Sequence, residues 1–208
     1  MIKYFVRTTN ERQLDNTYNQ VDYELLVDLE HKPIESFIKQ LEILSEYDSV
    51  LLEDDLILCK DFKNRIEEVI KQYPDKIINF FTAPNYYFKT KLVMAFGYNQ
   101  CTYYPKGISK EIALMMKKLY NKEFAYDDLE QKALIKLNLK HIQYRPCLVQ
   151  HLDYKSIISK GVCRMRVSPY FIDYLDELGI TYEEAELPEN KTKLMSLMKS
   201  HFDKVGIK

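Results

Sequence analysis

The sequence predicts an α/β fold, and three observations carry that expectation. Runs of β-formers alternate with helical runs through the N-terminal part of the chain, the pattern of a sheet with parallel character. The helical runs repeat apolar residues at the spacing of one buried face. Residues suited to helix starts, Pro33, Asp61 and Ser109, fall where those runs begin.

Taken in order, Ile2 to Thr8, IKYFVRT, opens the sheet, and Tyr23 to Asp28, YELLVD, reads as a second strand. After Pro33, the residues Ile34, Phe37, Ile38, Leu41 and Leu44 hold helical spacing. SVLLEDD is the next strand, and DFKNRIEEVIKQY a helix with Asp61 placed to cap it. KIINFFT follows as a strand, and KLVMAFGYNQCTYYP reads as two short strands around Gly97. Ser109 begins a helix with Ile112, Leu114, Met115, Met116 and Leu119 on a broad apolar face. Asp127 and Asp128 lead into another, where Leu129, Ala133 and Leu137 share a face, and YRPCLVQHL is a strand or extended segment. Beyond Pro169, an acidic stretch and a last helix, NKTKLMSLMKSHF, form a helical appendage over 169–208. Its Leu194, Leu197, Met198 and Phe202 suit the chain's own core, a second subunit in a homo-oligomer, or a lipid surface. Apolar stripes ordinarily mean tertiary contact.

Composition bounds the class. A chain of 208 residues suits one domain with appendages, and 46% hydrophobic with 29% charged residues excludes disorder. No apolar run approaches the roughly 18–20 residues that span a bilayer, and the N-terminus shows no signal-peptide core. Cys59, Cys101, Cys147 and Cys163 are widely spaced without a C-x-x-C, so neither a zinc site nor a disulfide framework is expected, and a reduced, cytoplasmic compartment is. The net charge of −1 conceals an asymmetry. From Gln131 to Ser168 the chain carries a net +7 (Lys132, Lys136, Lys140, Arg145, Lys155, Lys160, Arg164 and Arg166 against Asp153), while Pro169 to Glu189 holds seven acids and no Lys or Arg. Such a basic region can meet phosphates, or can be no more than solvated faces.

The stretch SVLLEDDLILCKDF raises the sharpest chemical question. Glu53, Asp54 and Asp55 stand between two apolar runs, where a like-charge cluster is costly unless a cation or water meets it. Strand alternation puts Glu53 and Asp55 on one side and Asp54 on the other. Ligands of open α/β sheets bind beyond the carboxyl ends of strands, and two carboxylates there suit Mg²⁺ or Mn²⁺. A solvated turn is the competing reading. In FAYDDLEQ, Asp127 and Asp128 fit a helix cap or capping box. As a functional reading, either is a general base for a hydroxyl nucleophile. His151, closing PCLVQH, fits a buried structural histidine or a metal ligand. Lys155 and the basic residues after it can neutralise a diphosphate. P-loop, dinucleotide-fingerprint and hydrolase-elbow motifs are absent from the sequence.

The order of these motifs resembles that of the GT-A glycosyltransferases, which use nucleotide-sugar donors, over about residues 1 to 160. The likeness is closest in VLLEDDLILCKDF and RPCLVQHLDYKS and to the small bacterial and phage branch. It implies a GT-A-like, Rossmann-like mixed sheet flanked by helices, with a catalytic domain over 1–168. By this resemblance EDD is a DxD-like motif, E-D-D in place of D-x-D, with Asp55 on a metal (Mn²⁺ or Mg²⁺) and Glu53 and Asp54 near the ribose or supporting that geometry. Gly97 corresponds to a glycine loop beside the donor sugar, and Asp127 or Asp128 to the acceptor base of inverting members. His151 corresponds to a histidine that completes metal or diphosphate binding, while Arg7, Thr8 and Asp28 lie near the nucleotide base. The implied partners are a nucleotide-sugar donor, a UDP-sugar favoured, and a saccharide acceptor. Other readings are transfer to a modified DNA base, a non-catalytic carbohydrate- or nucleotide-binding module, and a nucleotidyltransferase.

Overall fold

The computed structural model describes residues 1–81, 99–120, 123–152 and 167–204. Within them, six strands form a mixed sheet in the order β2-β1-β3-β6-β5-β7. Strand β1 (Ile2–Thr8) lies parallel between β2 (Tyr23–Val27) and β3 (Asp48–Glu53). Strand β6 (Cys101–Tyr104) pairs antiparallel with β3 and with β5 (Ile77–Asn79), which runs parallel to β7 (His141–Gln143). The parallel β1, β2 and β3 account for the alternation visible in the sequence.

Strand alternation divides the core in two. Tyr4, Val6, Val50, Leu52, Ile78 and Tyr103 pack on one face against α2 (Phe62–Gln72) through Phe62, Ile66, Val69 and Ile70. The C-terminal helices α5 (Ile172–Leu178), α6 (Tyr182–Ala185) and α7 (Pro188–Lys204) join that same cluster through Tyr174, Leu175, Ala185, Leu194 and Met198. The opposite face, with Phe5, Leu26, Leu51, Ile77 and Tyr104, is covered by α1 (Pro33–Leu44), α3 (Ile108–Leu119) and α4 (Tyr126–Lys136). The apolar stripe of the last helix is thus spent on the chain's own core, with Leu197 and Phe202 packed at its margin.

Several helix starts differ from expectation. Asp61 precedes α2, but its backbone is left-handed (φ 56°) and its side chain makes no cap to the helix. Its carboxylate instead accepts from Asn64 Nδ2 at 2.6 Å. Helix α3 opens behind Gly107, at φ 88°, and Ser109 lies buried inside its first turn. Helix α4 follows Ala125, so neither Asp127 nor Asp128 is the cap and no capping box forms there. Of the two strands expected around Gly97, β6 is seen; Gly97 itself lies outside the described residues. No helix among the described residues is long and apolar enough to cross a membrane.

Candidate metal centre

A second, two-stranded sheet builds the site. The EDD turn ends β3 and feeds β4 (Leu56–Leu58), which pairs antiparallel with β8 (Val149–His151) so that Leu56 faces His151. The Leu152 N–H donates to the Asp55 carbonyl at 2.7 Å, fixing the two segments where the carboxylates emerge. Tyr18, on the 3₁₀ turn Asn16–Gln20, closes the turn from beneath. Its hydroxyl donates to the Glu53 carbonyl and accepts from the Leu56 N–H at 3.3 Å.

This arrangement brings together Glu53, Asp55 and His151, each offering one ligand atom within 4.8 Å of the others. Asp54, in the bend beyond β3, is not one of the three: its Oδ2 accepts from Thr8 Oγ1 at 2.6 Å and its Oδ1 from Arg12 Nη1 at 3.2 Å. Arg12 Nη1 also donates to Asp55 Oδ2 at 2.5 Å, and His151 Nε2 lies 3.3 Å from that oxygen. The His151 contact is close enough for an ion pair but is not aligned as a hydrogen bond. Both ring nitrogens of His151 and Asp55 Oδ1 are buried without a hydrogen-bond partner among the described residues.

The carboxylates titrate in opposite senses. Burial would raise Asp55, but His151 and the Arg12 guanidinium outweigh it and hold its pKa below the ordinary value. Burial and the neighbouring charge of Asp55 push Glu53 up, against Arg7 and the hydrogen bond donated by Tyr126. Arg7 stands opposite Glu53 in the β1–β3 register. It is itself buried, with its guanidinium carbon 3.9 Å from the Tyr126 ring centre and 5.1 Å from that of Phe37. Burial opposes its charge, while Tyr126, Glu53 and Asp28 support it.

Asp28 directly follows β2, and there its N–H donates to the Thr8 carbonyl at 2.8 Å and its Oδ1 accepts from the Lys32 N–H at 3.3 Å, bracing the entry to α1. Asp127 and Asp128 occupy the first turn of α4, Asp128 exposed, and Asp127 Oδ1 accepts from the Asp128 N–H at 3.0 Å. Tyr126, immediately before them, ties that helix start to Glu53. Lys155, with Gly97, lies outside the described residues.

Sequence reasoning missed four contributors. Arg12, Tyr18 and Tyr126 carried no periodic or motif signal, although Tyr126 belongs to the YDD string. Glu130, fully buried, accepts from Tyr104 OH at 2.6 Å and Asn99 Nδ2 at 2.7 Å. A glutamate on the buried side of a helix, one place after Leu129, is the signal that marks it. The donor set of two carboxylates and one imidazole fits a divalent cation, and the unpartnered Asp55 Oδ1 and His151 nitrogens give it atoms to bind. The carboxylates admit Mg²⁺ or Mn²⁺, and the nitrogen ligand favours Mn²⁺ of the two. Compared with family models and with curated proteins, the sequence matches none.

Proposed function

We propose that the protein is a metal-dependent glycosyltransferase that moves a sugar from a nucleoside-diphosphate donor, a UDP-sugar favoured, to an acceptor hydroxyl, most simply that of a saccharide. One observation carries this reading: Glu53, Asp55 and His151, from two separate segments, converge at the carboxyl end of β3, with Asp55 Oδ1 and both His151 ring nitrogens buried and without a hydrogen-bond partner among the described residues. In this reading those three residues hold Mn²⁺ or Mg²⁺, and the bound ion supplies charge stabilisation to the diphosphate as it leaves. Asp127 or Asp128 takes the proton from the acceptor hydroxyl. The acceptor oxygen bonds to the anomeric carbon as the bond from that carbon to the diphosphate oxygen breaks, which inverts the centre. Tyr126 keeps the base-bearing helix start in register with Glu53 through its hydrogen bond.

A thermal-shift screen against UDP, GDP, CDP and their sugar conjugates, with and without Mn²⁺, tests the reading. Saturation at about 100 times Kd stabilises a fold by about 2.7 kcal/mol, a shift that is readily seen. One nucleotide family is expected to stabilise the wild type only with Mn²⁺, and Asp55→Asn is expected to abolish that shift. Stabilisation by none of the donors, with or without metal, would sink the proposal. Binding without transfer to any hydroxyl would favour a non-catalytic module.

A further inference from the structure

The carboxylate at the heart of the candidate metal centre is paired with a guanidinium. One guanidinium nitrogen, Arg12 Nη1, bridges Asp55 Oδ2 and Asp54 Oδ1, with Asp55 the closer at 2.5 Å against 3.2 Å. The Arg12 side chain is 15% exposed and the two carboxylates 9% each, so water screens this pairing little. Arg12 and His151 meet the same Asp55 oxygen but are anchored differently. His151 is fixed in a paired strand, whereas Arg12 hangs from the irregular segment between β1 and the 3₁₀ turn, two residues after Asn10 at φ 65°. Of the two groups on Asp55, Arg12 is the one with a long flexible stem and an irregular backbone, so it is the one that can leave.

Three properties bear on where it would go. A divalent ion on Glu53, Asp55 and His151 lies close to the guanidinium, and like charges repel strongly where screening is weak. A guanidinium is a planar fork that matches phosphate oxygens as well as carboxylates. A diphosphate arriving with the cation brings the negative charge that Arg12 loses on leaving Asp55. We propose that Arg12 is a diphosphate-binding residue stored on the metal-site carboxylates, which it vacates when diphosphate and cation enter together. This inference rests on the metal-and-diphosphate reading of the site. It makes the two ligands mutually dependent: bare metal binds weakly against Arg12, diphosphate draws Arg12 away, and the coupling is reciprocal. A purely structural clamp would behave in the opposite way, since its loss would disorder the turn and weaken metal binding.

The deciding measurement is Mn²⁺ affinity without nucleotide, read from the EPR signal of free Mn²⁺, for wild type, Arg12→Gln and Arg12→Lys. A second arm measures binding of inorganic pyrophosphate in EDTA by calorimetry. Arg12→Gln is expected to bind Mn²⁺ about tenfold tighter than wild type or better, because the repelling charge is gone. Arg12→Lys keeps that charge and is expected to stay within about threefold of wild type. Pyrophosphate affinity is expected to fall about tenfold in Arg12→Gln. Arg12→Met, which keeps an apolar stem, carries the same expectations should the glutamine variant fail to fold. Unchanged or weaker Mn²⁺ binding by the neutral variants overturns the proposal and leaves the metal site standing. Tighter Mn²⁺ with undiminished pyrophosphate binding overturns the diphosphate role. Absence of Mn²⁺ binding in folded wild type and variants alike overturns the site reading, and this inference with it.

Discussion

Glu53, Asp54 and Asp55 are consecutive, yet each carboxylate has its own company: Tyr126 for Glu53, Thr8 with Arg12 for Asp54, and Arg12 with His151 for Asp55. Those partners, with Arg12 shared between Asp54 and Asp55, are why two adjacent acids can be buried beside a partly buried third. The pairing of Glu53 with Asp55 was legible from the spacing of the motif, although Asp54 and Asp55 lie in the bend beyond β3 and not in a strand. Arg12 was not, because its partners lie far along the chain and a long flexible side chain leaves no periodic trace. Glu130, marked by its place on the buried side of a helix, yields a test. Burial pushes its pKa up to about 8, with the Tyr104 hydrogen bond opposing. The folded state therefore binds this proton more tightly than the unfolded chain, where a glutamate titrates near its ordinary value of 4.5. Its contribution is most favourable below that unfolded pKa and is lost as pH rises through the folded one. Glu130→Gln removes the titration while keeping one oxygen for Asn99 and an amide to meet the Tyr104 oxygen. Wild-type stability is expected to fall by on the order of a few kcal/mol from pH 5 to pH 8, with a visibly shallower fall in Glu130→Gln. Urea unfolding at stepped pH measures both, and parallel profiles would show that Glu130 does not titrate in that range.

Among the elements, apolar pattern located strands and helices better than cap chemistry located their ends. SVLL, IIN and CTYY were recognisable because they are buried on both sides and read as short runs dominated by apolar or aromatic residues. The helix starts misled because short polar residues near a terminus have several local partners. Asp61 turned to Asn64, Asp127 to the Asp128 N–H, and Ser109 was drawn under the helix by packing. What opens α3 is backbone conformation. Gly107 sits at φ 88°, and a Cβ placed there meets no heavy atom within 4 Å, so an alanine would suffer backbone strain alone. Gly107→Ala is expected to destabilise the protein by about 1–2 kcal/mol without altering Mn²⁺ binding. Paired denaturation and Mn²⁺ titration check this, and a cost near zero would mean that the turn relaxes to another conformation.

For the whole molecule, the question is whether the last helices are an attachment or part of the structure that holds the site. Composition set 169–208 apart, because its acids contrast sharply with the basic stretch before it, but charge describes the surface and says little about what lies beneath. Tyr170, Phe171, Tyr174, Leu175, Leu194 and Met198 are buried in one cluster with Phe80, Phe81, Leu148 and Val149. Phe80 accepts, through its carbonyl, the Leu148 N–H at 3.1 Å, and the Cys147 N–H reaches the Tyr170 carbonyl at 2.9 Å. The segment leading into β8, and hence to His151, is therefore braced by residues beyond 168. Full burial of a large apolar side chain contributes about 1.5–3 kcal/mol, so losing six exceeds roughly 9 kcal/mol. That is comparable with the roughly 5–15 kcal/mol by which whole domains are stable. A chain ending at Ser168 is expected to lack a cooperative transition in far-UV circular dichroism and to bind no Mn²⁺. Leu194→Ala in the full chain is expected to cost about 2–5 kcal/mol, with tyrosine fluorescence and circular dichroism shifting together in one transition. A truncated chain that melts cooperatively and still binds Mn²⁺ would instead make the terminal helices an independent appendage. The brace on His151 would then have to come from β4 alone.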